Sequence, residues 1–337
     1  MQSQPLLRVS HLMRWVLICL VLSFGSLGLN TPDAHADFPP GIVNHLSEEG
    51  SLNLHYPPRF RPIIDQIDNE GTVLFHDLER ALGLESFPTV DVWVLPNLNL
   101  YFEHYELEYR PPRWAIGLSL GKERTVLVLH GTAPGGEPVD VPRTFAHELA
   151  HVAMAEASGA YSVPRWLNEG FAVMHAEEWS PERSDLLSRA AATNSLIPFE
   201  RLDRTFPPHS QSVSLAYAQS FHFVRHLQQI FGDDVFAGIL AGVRNGEPFD
   251  QAFTNATGAS LIEIEGAWRD QLTSQTSLWS IFHDETVVFF GATLLFLVAF
   301  LVRRMRKRRQ LKSMTDDDDL QGWDYDPDRY PLPGQKS

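Results

Sequence analysis

The sequence predicts an α+β fold: a small mixed β-sheet with an N-terminal helix, a histidine-bearing helix at the cleft, a helical C-terminal half, and one C-terminal transmembrane helix. Three observations predict it. Strand-like runs are confined to the first half of the chain, at residues 90–95, 114–120 and 125–129. From residue 143 onward the apolar residues recur at helical spacing. An uncharged apolar stretch of 17 residues, 286–302, runs directly into a basic cluster. Strands first and helices afterwards is the pattern of segregated α+β layers, and a cleft is expected where the two halves meet.

In chain order, residues 1–36 read as a secretory signal peptide. Arg8 and Arg14 make a basic start, residues 15–29 an apolar core, and Ala34-His35-Ala36 a small-x-small cleavage site before Asp37. The single cysteine, Cys19, lies inside that core. Its removal with the signal excludes disulfides, thiolate ligands and cysteine nucleophiles, and leaves histidine and carboxylate chemistry. Residues 60–83 have helical spacing, with Ile63, Ile64, Ile67, Val73, Leu74, Leu78 and Leu82 apolar and Gly83 as the stop. Residues 90–95 alternate as a strand and end at Pro96. Residues 114–120 and 125–129 form two more strands, joined by the hairpin turn Gly121-Lys122-Glu123-Arg124. Residues 217–231, 235–243 and 261–273 then read as helices. A sheet half (about 55–142) and a helical half (about 143–280) together make one domain, 37–280.

At the junction of the halves stands His147-Glu148-Leu149-Ala150-His151. Pro142 precedes a run of good helix formers, 145–157, and Gly159 closes it. On a helix the i, i+4 spacing puts both imidazoles on one face, one turn apart, where they can share a metal ion. Glu148 then lies beside the ion, placed to take a proton from a water that the ion polarises. A catalytic zinc wants three protein ligands and an open position. Eighteen residues after His151, beyond a turn-rich stretch, comes Glu169 in Trp166-Leu167-Asn168-Glu169-Gly170-Phe171-Ala172. A second helix starting near Pro164 would run back beside the first and bring that carboxylate to the metal. Gly170 suits close helix packing there, and Asn168 a hydrogen bond behind a ligand.

The pairing of HExxH with WLNEGFA resembles the gluzincin metallopeptidases, and the region as a whole is similar to the peptidase MA-like family. The resemblance spans about residues 55–270 and is specific around 143–175 and 215–232. It implies one zinc ion per chain, held by His147, His151 and Glu169, with Glu148 as general base. Met154 and Ala157 stand where a metzincin would carry glycine and histidine. Related peptidases also look similar around Leu215-Ala216-Tyr217-Ala218-Gln219-Ser220, which implies that the Tyr217 hydroxyl stabilises the oxyanion. In this family the strand before the metal helix forms the cleft's rim and can pair with an extended peptide. Residues 114–118 or 125–129 are the candidates. His222 and His226 repeat the i, i+4 spacing without an accompanying glutamate, and packing roles are expected for them and for His175.

Residues 286–302 would form a single membrane span, and the basic residues 303–309 directly after it would stay cytoplasmic. The low apolar content of the tail, 303–337, predicts disorder. Signal and anchor together predict a single-pass type I protein of the cell membrane, with its catalytic domain extracytoplasmic. Between residues 37 and 285 there are 34 Asp and Glu against 16 Lys and Arg. That surface is unsuited to nucleic acid. The expected activity is hydrolysis of peptide bonds in a peptide or protein substrate. The stretch 114–120 lacks the carboxylate with which aminopeptidases of this group bind a substrate N-terminus, which favours an endopeptidase. The alternative is a zinc-bound, weakly catalytic envelope scaffold, which would need the ligands but not Glu148.

Overall fold

The structure, a computed structural model, describes residues 41–159, 161–204, 210–283 and 285–318. The expected signal peptide, 1–36, and the end of the tail, 319–337, lie outside the described residues.

The chain opens with strands β1 (Val43–Leu46) and β2 (Leu52–Tyr56), then helix α1 (Arg61–Leu82). Gly83 ends α1 as expected, in a left-handed conformation (φ 63°) that a residue without a Cβ adopts freely. Next come β3 (Val90–Leu95), the short helix α2 (Asn99–His104), β4 (Gly117–Leu120) and β5 (Thr125–Leu129). The helical half is α3 (Val141–Ser158), α4 (Arg165–His175), α5 (Pro181–Ala192), α6 (Phe199–Arg204), α7 (Ser210–Phe231), α8 (Val235–Arg244), α9 (Phe249–Thr257) and α10 (Leu261–His283). The chain is thus a mixture of helices and one small sheet, with its strands in the first half and helices alone after β5. The sheet begins earlier than expected, because β1 and β2 are short and carry no long apolar alternation.

The five strands are ordered β1-β2-β3-β5-β4. β2, β3 and β5 run parallel, and β1 and β4 pair antiparallel at the two edges. Alternation along each strand sorts side chains between two cores. Val90, Val92, Val94, Val126 and Val128 join the main core with α1, α3, α4, α7 and α8. Trp93, Leu95, Leu118, Leu120 and Leu127 pack on the other face with Tyr101 and Phe102 of α2. The sheet is thus covered on both faces, and α3 lies against the face that β4 and β5 turn toward the helical half.

Contacts divide the chain into two compact units, 1–276 and 277–337. The second contains helix α11 (Glu285–Asp318). Here three expectations are corrected. Among the described residues no helix is long and apolar enough to cross a membrane, so the C-terminal transmembrane helix is not borne out. Neither is the single-pass, type I placement built on it. The physical reason lies in length: 17 uncharged residues rise about 26 Å, short of a hydrocarbon core about 30 Å thick. The tail is not wholly disordered either, since residues 303–318 continue α11 as helix.

A candidate metal centre between two helices

Helix α3 starts where its sequence says it should. Asp140 caps it, its carboxylate accepting from the amide of Arg143 at 3.2 Å, and Pro142 sits in the first turn. Phe145, Leu149, Val152 and Ala153 anchor its apolar stripe in the main core. The adjoining face carries His147, Glu148 and His151, all buried. The two imidazoles lie 4.7 Å apart, centroid to centroid.

Helix α4 brings the third group. Trp166, Leu167 and Phe171 fasten it in the core, and Gly170 lets it press against α7. A Cβ at Gly170 would stand 2.4 Å from the main-chain oxygen of Ser220, closer than any side chain permits. On the opposite side of α4, Glu169 points at α3. Its Oε2 lies 3.8 Å from Nε2 of His147 and 3.8 Å from Nε2 of His151. Among the described residues these three form the one group able to hold a metal, with their ligand atoms all within 4.8 Å of one another.

The donor set fits a zinc ion. Nε2 of His151 and Oε2 of Glu169 are buried with no hydrogen-bond partner among the described residues, an arrangement that stands only if something else satisfies them. Burial first, then the neighbouring His147, pushes His151 down to about 4, which keeps its imidazole neutral and able to ligate. Burial alone would raise Glu169, but His147, His151 and Arg165 more than offset it and hold the carboxyl below its usual value. Arg165 donates to Oε1 of Glu169 at 3.4 Å, leaving Oε2 turned toward the histidines. Behind His151, Oδ1 of Asn168 lies 2.9 Å from Nδ1. That contact is the one expected for Asn168, and it leaves Nε2 as the ligating atom.

Glu148 is fully buried on the side of α3 facing the sheet. The edge strand β4 passes directly over it: a Cβ at Gly117 would fall 2.6 Å from Oε1 of Glu148 and 2.7 Å from Cγ2 of Thr144. Glycine at this position is what allows strand and carboxylate to share the space. Of the two rim-strand candidates, β4 lies at the sheet edge, whereas β5 is enclosed between β3 and β4.

Tyr217 is buried on α7, in the main core (3 % exposed). Among the described residues, His222 and His226 do not join a second group able to hold a metal. The indole Nε1 of Trp268 donates to Nδ1 of His222 at 2.9 Å, and burial, His226 and Arg225 push His222 down to about 4. His175, also lowered to about 4 by burial, borders a cleft of about 530 Å³ between α1, the start of α3 and the end of α4. None of the three candidate ligands lines that cleft.

Sequence reasoning missed two residues. Gly117 carried no signal beyond being a glycine in a short strand. Glu178, whose Oε1 lies 3.3 Å from Nδ1 of His147, follows the end of α4 at no recognisable spacing. Only the left-handed turn before it brings it inward.

An HExxH helix whose two histidines meet a glutamate from the next helix is the donor arrangement that a zinc-dependent hydrolase requires. Residues 108–274 match the family model of the Peptidase MA superfamily, in line with the resemblance to the gluzincins. Among solved structures, the chain is similar to native leukotriene A4 hydrolase from Saccharomyces cerevisiae, with 15 % identity and a TM-score of 0.36. That match covers 60 % of this chain and 33 % of the hydrolase, so the chain spans about a third of that protein's length. No curated protein matches the chain significantly.

Proposed function

We propose that the chain is a zinc endopeptidase whose catalytic domain is residues 37–280. The observation that carries this reading is the convergence of His147, His151 and Glu169, with Nε2 of His151 and Oε2 of Glu169 buried and without a hydrogen-bond partner among the described residues. Zinc held by these three residues would supply Lewis acidity, polarising a water and the scissile carbonyl. Glu148 accepts the water's proton and passes it to the leaving amine, which its place beside the ligands on the same helix supports. The hydroxyl of Tyr217 donates to the developing oxyanion. The β4 edge, which passes over Glu148 at Gly117, receives an extended substrate by main-chain hydrogen bonds. A strand laid along that edge runs past the base in both directions, which favours cleavage within a chain over removal of its first residue. The residues from Trp114 to Leu120 include no carboxylate to bind a substrate's α-amino group. A zinc-holding scaffold would need the ligands but no Glu148 buried beside them.

The test is turnover of a denatured protein and of an N-acetylated peptide by the purified chain. Both should be cleaved at internal bonds, lose cleavage on chelation and regain it with zinc. An active chain that needs no metal would overturn the zinc reading. Cleavage restricted to free N-termini would overturn the endopeptidase reading alone.

A further inference from the structure

The catalytic scheme leaves unused one buried carboxylate, which stands behind His147. Glu178 lies just past the end of α4, its side chain 3 % exposed, with Oε1 3.3 Å from Nδ1 of His147. That is the ring nitrogen opposite the one that faces Glu169. Glu178 is itself held from three sides. Arg183 of α5 has its Nη2 3.6 Å from Oε2 of Glu178. The Nη1 of Arg183 donates to the main-chain oxygen of Glu178 at 2.7 Å. The amide of Glu178 donates to the carbonyl of Val173 at 3.2 Å. The preceding residue, Glu177, adopts φ 52°, a left-handed conformation that costs a non-glycine residue backbone energy and persists where the surroundings enforce it. That turn sends Glu177 to the surface and Glu178 inward. Burying a carboxylate is expensive unless it is paired, and the His147 imidazole, with Arg183 and Arg143, holds this one below its usual value despite its burial.

We propose that Glu178 is a positioning residue for the metal site, acting through His147. Its Oε1, 3.3 Å from Nδ1, is placed to take the Nδ1 proton, to fix the tautomer in which the Nε2 lone pair is turned toward Glu169, and to make that nitrogen a stronger donor. The proposal rests on the zinc reading above. The two histidine ligands are then backed unequally, His151 by the neutral amide of Asn168 and His147 by a carboxylate with its own arginine.

Zinc affinity of the full chain, measured by competition with a chromophoric chelator, tests it. Glu178→Ala should weaken zinc binding about 10–100-fold. Glu178→Gln, whose amide oxygen still accepts the Nδ1 proton, should recover most of that loss. With Co²⁺ in place of zinc, the visible absorption bands should shift in the alanine variant and stay near wild type in the glutamine variant. If the alanine variant does not fold, Glu178→Asp, its carboxylate drawn back by one methylene, carries the same expectation of weakened binding. A carboxylate with a merely structural task would lower the melting temperature of the metal-free chain and leave zinc affinity and the cobalt spectrum unchanged. That result overturns the proposal and leaves the zinc reading standing. A wild-type chain that binds no zinc overturns both.

Discussion

Two helices of this chain carry histidines four residues apart, and the two pairs have different surroundings. On α3, His147 and His151 turn their Nε2 atoms toward Glu169 of α4, and each Nδ1 faces an oxygen of another side chain. On α7, His222 spends its Nδ1 as acceptor for the indole of Trp268, and His226 stacks near Phe223. No described carboxylate joins the second pair in a group able to hold a metal. Helical spacing supplies two ligands at most. A metal centre also needs a neighbouring element to bring the third, and partners that commit the far nitrogens so the near ones stay free.

The comparison breaks most visibly through metal content. His147→Ala, His151→Ala and Glu169→Ala should each lose the single zinc, because two remaining ligands do not close a stable site. His226→Ala should keep one zinc per chain. Metal analysis of purified variants decides it: stoichiometric zinc in all three α3 and α4 variants, or its loss with His226→Ala, would reverse the roles assigned to the two pairs.

Next in size is the residue that only the α3 pair carries between its histidines. Glu148→Gln should keep zinc and fold yet lose turnover by several orders of magnitude, since an amide cannot take up the water's proton. Substantial activity in a zinc-loaded variant would move the base elsewhere.

How much of this was legible in the sequence follows from which interactions are local. The HExxH spacing, the Asp140–Pro142 helix start and the Gly83 stop are properties of single helices, and they read directly. Glu169 was legible because its flanking residues carry a family resemblance, not because eighteen residues of separation imply contact. Glu178 was not, since its approach to His147 depends on a left-handed turn at a glutamate, a conformation no local rule assigns to that residue. Gly117 was equally silent, as the reason for it is Glu148 on a helix about thirty residues later. The apolar run 286–302 reads as a membrane span on composition, but no helix among the described residues is long and apolar enough to cross a membrane. The edge strand β1 has a mostly exposed pattern, which removes the alternation that would have announced it.

A third, smaller effect concerns Tyr217, which shares α7 with the second histidine pair. If its hydroxyl donates to the oxyanion, Tyr217→Phe should lower kcat about 10²–10³-fold with KM little altered, and zinc content should not change. A ring that only fills the core would give the opposite pair of results: normal kcat and a chain that melts earlier, by about 1–3 kcal/mol if a buried partner loses its hydrogen bond.

The smallest effect sharpens the contrast from the α7 side. His222→Phe keeps a ring in the gap and removes the acceptor for Trp268, whose side chain is nearly inaccessible to water. A buried indole N–H left unpaired should cost about 1–3 kcal/mol of stability, a few degrees of melting temperature for each kcal/mol in a domain of this size. Zinc content and kcat should stay at wild-type values. The same variant carries a pH signature. Burial, with His226 and Arg225, holds His222 at about 4, below the usual 6.5 of an unfolded histidine. Its contribution is therefore fully present above about pH 6.5 and is lost as pH falls toward 4, because the unfolded chain takes up the proton first. Melting curves between pH 7 and 4 should show a shallower decline for His222→Phe than for the wild type. Loss of zinc from this variant would mean that the second pair also serves a metal. An unchanged pH slope would mean that burial does not hold His222 neutral in the folded chain.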